Sequence, residues 1–170
     1  MSSSKRGKQS YTFQNPPVIT AWASVAGKKE SEGPLSDTFD LVFEESHVGM
    51  PTWEQGEQKM QQLALDTVLT KAKIAISDLD VVFSGDLLNQ CIGSSFTLRN
   101  KNVPHVGLYG ACSTMAESLL LSAMFIGAGY GSKAIAMTSS HFASSERQYR
   151  FPLGYGGQRP PTAQWTVTGS

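Results

Sequence analysis

Residues 81–145 constrain the fold of this chain more than any other part, because these 65 residues carry only five formal charges. A segment so poor in charge is largely buried in a folded protein. Within it, strand-like apolar runs at residues 81–85, 103–108 and 134–138 alternate with helical patterns at residues 92–99 and 113–129. Strands separated by helices are typical of a parallel sheet built from right-handed crossovers. The sequence therefore predicts an α/β fold, with a mostly parallel sheet and helices on both of its faces.

The predicted helix at residues 113–129 is apolar on nearly every side. A helix at the surface of a globular protein shows a polar face, so this one is expected to have protein on both sides. A chain of 170 residues hardly provides a second covering layer. We therefore expect the chain to be part of a larger structure, in which a missing half or a partner chain covers this helix. The final residues, WTVTGS, agree with this expectation because a predicted strand has only begun there.

The first third of the chain contains one predicted strand and one long predicted helix. Residues 1–12 are predicted to be a disordered tail, which leaves residues 13–170 as the folded part. Residues 17–25 are rich in β-branched and aromatic side chains and predict a buried strand, followed by a loop at residues 28–50. Thr52 and Gln55 form a capping box, which predicts the start of a helix whose apolar residues recur at helical spacing. In its first turn, Glu54 and Glu57 suit the positive end of the helix dipole.

Composition excludes several classes of function. The 14 basic residues balance the 14 acidic ones, and three of the basic residues lie in the first ten positions, so the body of the chain is slightly acidic. A slightly acidic body argues against nucleic acid as a partner. Two cysteines, Cys91 and Cys112, cannot make a disulfide framework, and no spacing of metal ligands is present. The longest weakly charged apolar run, residues 115–130, is only 16 residues long and contains Glu117, so no membrane span is predicted.

Three polar clusters follow predicted strands, where the ligand site of an open parallel sheet lies. They are residues 86–90, 110–114 and 139–141. The middle cluster, GACST, is the most specific, because Cys112 lies in a tight turn between a strand and a helix. Free backbone N–H groups at a helix start lower the pKa of a thiol and hold an anion. The alternative is that Cys112 is a small buried apolar residue, as most free cysteines are.

Other candidates come from the predicted loop at residues 139–165, which is rich in Gly, Pro, Ser and Arg. Loops of this length are usually functional or bind a partner. His141 is a candidate base or hydrogen-bond donor, or else a polar loop residue. Arg147, Arg150 and Arg159 are candidates to clamp a carboxylate, although such arginines more often pair with acidic neighbours such as Glu146.

Four segments of the chain together resemble the stage V sporulation protein AD family. They are GDLLNQ at residues 85–90, YGACSTMAESL at 109–119, TSSHFASSERQYRFP at 138–152 and YGGQRPPTAQWTVTGS at 155–170. The resemblance runs from about Phe13 to the end of the chain. It departs from the family at Gly154, where an acidic residue is expected. The strand followed by GACST and an apolar helix also resembles the nucleophile turn of ketoacyl synthase III-like condensing enzymes of the thiolase fold.

The resemblance implies a thiolase-like fold, in which two βαβαβαββ halves form five αβαβα layers and two chains form a homodimer. This chain is then the first half. In condensing enzymes the active cysteine aligns with Cys112, and the His and Asn that complete the site come from the second half.

The resemblance also implies a function. The family binds dipicolinic acid (pyridine-2,6-dicarboxylate), alone or as its calcium chelate, rather than catalysing a reaction. It takes part in uptake of this ligand into the developing spore with membrane proteins of the same operon, a step relevant to later germination. The implied location is the cytoplasmic side of the spore inner membrane, with peripheral attachment and no cofactor. The alternatives are a thiol-dependent acyltransferase or condensing enzyme that uses Cys112, and a structural adaptor with a vestigial pocket.

Dipicolinic acid is a rigid planar dianion, so its site needs hydrogen-bond donors, positive charge and a flat apolar slot. The start of the helix offers donors, an arginine offers charge, and Phe142, Tyr149, Phe151 or Tyr155 offers a stacking face. The predicted ligand-binding residues are Cys112, Ser113, Thr114, Asn89, His141, Arg147 and Tyr155.

Overall fold

A computed structural model describes residues 5–149 and 167–170 of the chain. The strands are β1 (Lys5–Arg6), β2 (Ser10–Tyr11), β3 (Val25–Gly27), β4 (Leu41–Phe43), β5 (Val81–Gly85), β6 (His105–Leu108) and β7 (Ala134–Thr138). The helices are α1 (Lys28–Ser31), α2 (Trp53–Ala72), α3 (Ile92–Leu98), α4 (Thr114–Gly127) and α5 (Phe142–Tyr149). Short 3₁₀ turns lie at Ser36–Thr38, Ile76–Asp78 and Ala111–Ser113.

The centre of the fold is a parallel sheet in the order β6-β5-β7. Side chains of β5 alternate between its two faces, as in any strand. Val82 joins a cluster with Leu65, Leu69 and Leu98, which come from α2 and α3. Phe83, one residue later, joins a cluster on the α4 side of the sheet. The predicted α/β architecture, with helices on both faces of a parallel sheet, is thus confirmed.

A second, smaller set of strands adjoins the first. β3 pairs in parallel with β4, and Gly169 forms antiparallel bridges with both Ala26 and Ser140. The backbone at residues 167–170 therefore lies between the end of β7 and β3. The position of these residues places the end of the described chain beside the carboxyl ends of the central strands.

Helix α2 begins where the capping box predicts. The side chain of Thr52 accepts a hydrogen bond from the backbone N–H of Gln55, at 3.3 Å. The helix ends at Lys73, whose left-handed backbone conformation terminates the helical pattern. Its apolar residues Met60 and Ala64 pack against β3, and Leu65 and Leu69 pack against the central sheet.

Loss of the Thr52 cap is expected to cost stability. Thr52→Ala removes the side-chain acceptor for the Gln55 N–H group and is predicted to lower the free energy of unfolding by about 1 kcal/mol. Thr70→Ala is the matched control, because the Thr70 hydroxyl bonds to the Asp66 carbonyl inside the same helix and caps nothing. Chemical denaturation of both variants measures the difference. Equal losses in the two variants would show that the cap contributes nothing.

The structure corrects the predicted strand at residues 17–25. Only its last residue is in a strand, since β3 begins at Val25, and Trp22 is 72% exposed. A strand requires a hydrogen-bonded neighbour, and β4 and residues 167–170 pair with this segment only around residues 25–27. Part of that neighbour, β4, comes from residues 28–50, which were predicted to be a loop.

Two further segments have structure that the sequence patterns did not predict. The first residues of the predicted loop at 139–165 form helix α5, in which Ala143, Ser144 and Ser145 are buried. The predicted tail contains β1 and β2, an exposed antiparallel pair. The rest of the predicted loop, from residue 150 to 165, lies outside the described residues.

Helix α4 has apolar side chains on both sides. On the sheet side, Leu121 and Phe125 pack against the cluster that contains Phe83. On the opposite side, four large apolar side chains are exposed by 43–56%: Met115, Leu119, Leu120 and Met124. This is the arrangement expected of a helix that has protein on both sides. The described residues cover its sheet side and do not cover the opposite side. Among residues 5–149 and 167–170, no helix has the length and apolar character needed to cross a bilayer.

Candidate functional site

A cleft of about 380 Å³ lies at the carboxyl ends of the central strands. Residues from all three predicted polar clusters line it, together with the last described residues of the chain. The lining residues are Asp86, Leu87, Ala111, Cys112, Thr114, Met115, Thr138, Ser139, Ser140, Val167, Gly169 and Ser170. The strand ends meet here because parallel strands deliver their carboxyl ends to one edge of a sheet.

Cys112 lies in the 3₁₀ turn Ala111–Ser113, between β6 and α4, and it is exposed and lines the cleft. Hydrogen bonds within the turn hold it in place. The Ser113 hydroxyl donates to the Gly110 carbonyl at 2.7 Å, and the Gly110 N–H donates to Thr114 Oγ1 at 3.2 Å. A Cβ at Gly110 would crowd the Ser113 hydroxyl and the Glu117 carboxylate, so a larger residue here would have to displace both side chains. The turn thus presents a thiol at the beginning of a helix, as predicted.

Asp86 forms the buried wall of the cleft and is only 1% exposed. Its carboxylate accepts three hydrogen bonds, from Leu88 N at 2.9 Å and from Ser94 N and Ser94 Oγ at 2.8 Å each. Gly93 lies against this carboxylate. A Cβ atom at Gly93 would be closer to the carboxylate than an ordinary van der Waals contact. Asp86 therefore ties the end of β5 to the start of α3.

Beneath Ser139, the cleft rests on a chain of buried polar side chains from helix α2. Ser139 Oγ lies 2.8 Å from Glu57 Oε1 and accepts from Gln61 Nε2, also at 2.8 Å. Gln61 Nε2 also contacts Ser94 Oγ at 3.1 Å, and Ser94 is the partner of Asp86. Burial raises the pKa of Glu57 to about 7. Hydrogen bonds thus connect the carboxylates of Glu57 and Asp86 below the cleft.

His141 is fully buried and does not line the cleft. Its Nε2 donates to the Ser46 carbonyl at 2.6 Å, and its Nδ1 accepts from the Ala143 N–H at 3.2 Å. Burial lowers the pKa of its imidazole, which favours the neutral ring. With both nitrogens engaged, His141 fixes the start of α5 instead of serving as a base or a ligand donor in the cleft.

Arg147 also lies away from the cleft lining. Its guanidinium forms an ion pair with Glu54 and sits over the ring of Trp53, 5.5 Å from the ring centroid. The alternative interpretation of this arginine, pairing with an acidic neighbour, is thus the correct one. The neighbour is Glu54 on helix α2, however, and the carboxylate clamp predicted for Arg147 is not present.

The remaining predicted residues lie at different distances from the cleft. Thr114 lines the cleft, whereas Ser113 and Asn89 are exposed and are not among the lining residues. Tyr149 reaches the edge of the site, where its hydroxyl donates to the Leu87 carbonyl at 2.6 Å, and burial raises its pKa to about 12. Phe142 stacks on His141 and lines a separate cavity of about 250 Å³. Arg150, Phe151, Gly154, Tyr155 and Arg159 lie outside the described residues.

The described lining of the cleft carries one charged residue, Asp86, and no lysine or arginine. Within residues 5–149 and 167–170, no group of three or more His, Cys, Asp or Glu side chains is placed to hold a metal ion. Cys91 is buried just before α3, and its thiol donates to the Leu108 carbonyl at 3.0 Å. Burial raises the pKa of this thiol, as expected for a structural cysteine.

Sequence analysis missed the roles of Glu57 and Gln61. Glu57 was assigned to the helix dipole, but it is buried with Gln61 on the inner side of α2. The available signal was their position one helical turn apart, interleaved with the packing residues Met60 and Ala64. Polar residues at buried helical positions require partners, and here the partners are serines more than 30 residues away in the chain.

Comparison with known proteins gives one family and one strong relative. The family described as Stage V sporulation protein AD matches residues 7–170. The Stage V sporulation protein AD of Bacillus subtilis (strain 168) is 38% identical over 164 residues, which are 96% of this chain and 48% of that protein. The chain thus spans about half the length of the curated relative that it matches.

Among solved structures, a 3-oxoacyl-(acyl carrier protein) synthase III from Xanthomonas oryzae pv. oryzae is similar at a TM-score of 0.48 and 19% sequence identity. The similarity covers 75% of this chain and 44% of the synthase chain.

Proposed function

The chain belongs to the stage V sporulation protein AD family, and from that premise we propose that its cleft binds dipicolinic acid during uptake into the developing spore. Membership of this family gives the protein a role in sporulation. The observation that carries the proposal is the convergence of three strand-end segments, including the Cys112 turn, on one cleft.

The shape and chemistry of the cleft support a small planar anion. Leu87, Ala111, Met115 and Val167 provide apolar surface. The N–H groups of Ser113 and Thr114 donate to carbonyls of the turn, so the donors that the turn offers to a ligand are the N–H groups of Ala111 and Cys112. Such groups carry partial positive charge and suit a carboxylate. A rigid ligand loses little conformational entropy on binding, so a small cleft suffices.

Charge balance favours the calcium chelate as the bound form. The described lining contains Asp86 and no cationic side chain, and a free dianion is repelled by a buried carboxylate. A chelated calcium ion cancels the charge of the two ligand carboxylates. Arg150 and Arg159, or residues of a second half, are the other sources of positive charge.

A thiol-dependent acyltransferase or condensing enzyme is the second candidate, and the exposed thiol of Cys112 at a helix start favours it. Such an enzyme needs a base near the nucleophile. His141 does not supply one, because both of its ring nitrogens are bonded to backbone groups. In condensing enzymes the histidine that completes the site comes from the second half, so this candidate is tested by acyl transfer in the protein that carries both halves.

We further propose that a second half of the protein covers the exposed face of α4. Met115 belongs both to this face and to the lining of the cleft, so whatever covers the helix also forms a wall of the site. The complete protein is proposed to have the five-layered thiolase-like architecture and to form a homodimer. It is proposed to associate peripherally with the cytoplasmic face of the spore inner membrane, through membrane proteins of the same operon.

The test is a calorimetric titration of the protein that carries both halves, using dipicolinate with and without calcium. We expect saturable binding, stronger with calcium, and a loss of about tenfold in affinity in Cys112→Ala, equivalent to about 1.4 kcal/mol for one lost contact. Cys91→Ala is the matched control and should keep the affinity, since Cys91 does not line the cleft.

Absence of binding in both conditions would reject the dipicolinate proposal. Rapid transfer of an acyl group from a thioester to Cys112, followed by turnover, would establish the enzyme instead. Labelling without turnover would leave the binding proposal intact, because an exposed thiol reacts without being catalytic.

A further inference from the structure

We propose that Glu57 exchanges its proton with solvent near neutral pH and couples that proton to the occupancy of the cleft, so that binding of an anion is accompanied by proton uptake. The proposal rests on the proposed function for the identity of the anion, which is the calcium-free dipicolinate dianion, since the calcium chelate carries no net charge to act on Glu57. The charge state of Glu57 itself is a separate property of the fold, and it can be measured without a ligand.

The count of hydroxyl protons around Glu57 is the first observation. Three short contacts surround the carboxyl group: Ser139 Oγ to Glu57 Oε1 at 2.8 Å, Ser144 Oγ to Glu57 Oε2 at 2.7 Å, and Ser144 Oγ to the His141 carbonyl at 3.1 Å. The two serine hydroxyls supply only two protons. A proton on Glu57 Oε2 satisfies all three contacts, because Glu57 then donates to Ser144 and Ser144 donates to the carbonyl.

The groups that face Glu57 are the second observation. Glu57 is fully buried, and the ionisable groups that act on it are Glu54 from its own helix and Asp86 from the segment after β5. From the α5 side, Arg147 is paired with Glu54, and His141 uses both ring nitrogens on backbone groups. Burial raises the pKa of Glu57 to about 7. The hydrogen bonds from Ser144 and Ser139 act against this shift, and the negative charges of Asp86 and Glu54 add to it.

The connection to the cleft is the third observation. Ser139 both lines the cleft and contacts Glu57, so one residue separates the buried carboxyl group from a bound ligand. An anion in the cleft adds negative charge beside a group that already resists ionisation, and it raises the affinity of Glu57 for its proton further. By linkage, the anion binds more tightly to the protein whose Glu57 is protonated.

The experiment titrates the protein with both halves at pH 6, 7.5 and 8.5, using calcium-free dipicolinate in buffers of different protonation enthalpy. The wild type is expected to take up a fraction of a proton at pH 7.5, just above the pKa of Glu57, and to bind three- to tenfold more weakly at pH 8.5 than at pH 6. Glu57→Gln, which is neutral at every pH and of the same shape, should show no proton uptake at this position and a flattened pH profile. Asp66→Asn is the matched control on the same helix and should keep the wild-type profile, because Asp66 is exposed and is not among the groups that act on Glu57.

Infrared spectroscopy of the ligand-free protein separates this inference from the proposed function. We expect the absorption of a protonated carboxyl group at pH 6 that fades as the pH rises through 7 and is missing in Glu57→Gln. If that band is absent from the wild type, the inference is wrong even where dipicolinate binds. If the band is present and dipicolinate gives no heat, the proposed function is wrong and the coupling to dipicolinate falls with it. Unchanged proton uptake in Glu57→Gln would overturn the coupling directly.

Discussion

Replacing Asp86 with alanine is expected to destabilise the protein by about 3 to 5 kcal/mol, since two buried backbone N–H groups and a serine hydroxyl lose their charged acceptor. Asp86 is buried between β5 and α3, where water cannot replace the lost partner. Because Asp86 also lines the cleft, loss of its carboxylate should also disorder the site. Chemical denaturation of the protein with both halves measures the effect.

Asp80→Ala is a closely matched control for this experiment. Asp80 accepts the same set of hydrogen bonds, from Ser132 N, Ser132 Oγ and Lys133 N, but it lies at the exposed start of β5. Water can replace its carboxylate, so Asp80→Ala should cost much less than Asp86→Ala. Equal losses in the free energy of unfolding would mean that burial does not determine how much these hydrogen bonds contribute to stability.

Introducing a charge on the outer face of α4 is expected to be equally damaging. Leu120 is 56% exposed in the described residues, but it lies at the centre of the apolar face that the proposed second half covers. Leu120→Lys in the protein with both halves should lower the free energy of unfolding by about 3 to 5 kcal/mol, because it removes buried apolar area and buries an unpaired ammonium. Denaturant titration and the soluble yield both report the change.

Thr70→Lys provides the comparison for the α4 variant. Thr70 is exposed on α2 and adjoins Asp66 one turn earlier, so a lysine there is expected to change stability by less than about 0.5 kcal/mol. If Leu120→Lys were as mild as Thr70→Lys, the outer face of α4 would be in water, and the proposal of a covering half would be wrong.

The elements of the central sheet were predictable because their signals are local. Strands β5 and β7 have the predicted bounds, and α2 and α3 begin where the patterns indicate. In each case the apolar residues, the turn residues and the cap lie within a few positions of one another. Local signals also placed Cys112 at a turn between a strand and a helix, which the structure has.

The predictions that failed depend on partners far away in the chain. His141 bonds to Ser46, which is 95 positions earlier, and Arg147 pairs with Glu54, which is 93 positions earlier. Among residues 5–149 and 167–170, no strand pairs with most of the segment at residues 17–25, which its β-branched composition could not reveal. Sequence patterns indicate the secondary structure that a residue favours, but they do not identify the distant residue that it contacts after folding.

From the sequence by itself come the order of strands and helices, the place of Cys112 at a strand-to-helix turn, and the family, because neighbouring residues in the chain carry all three signals. Only the tertiary structure decided which members of the three polar clusters line the cleft, that His141 and Arg147 do not line it, and that Glu57 is buried below it. Those outcomes depend on which side chains exclude water from one another after folding. Burial and hydrogen-bond partners between distant segments exist only once the chain has brought those segments together.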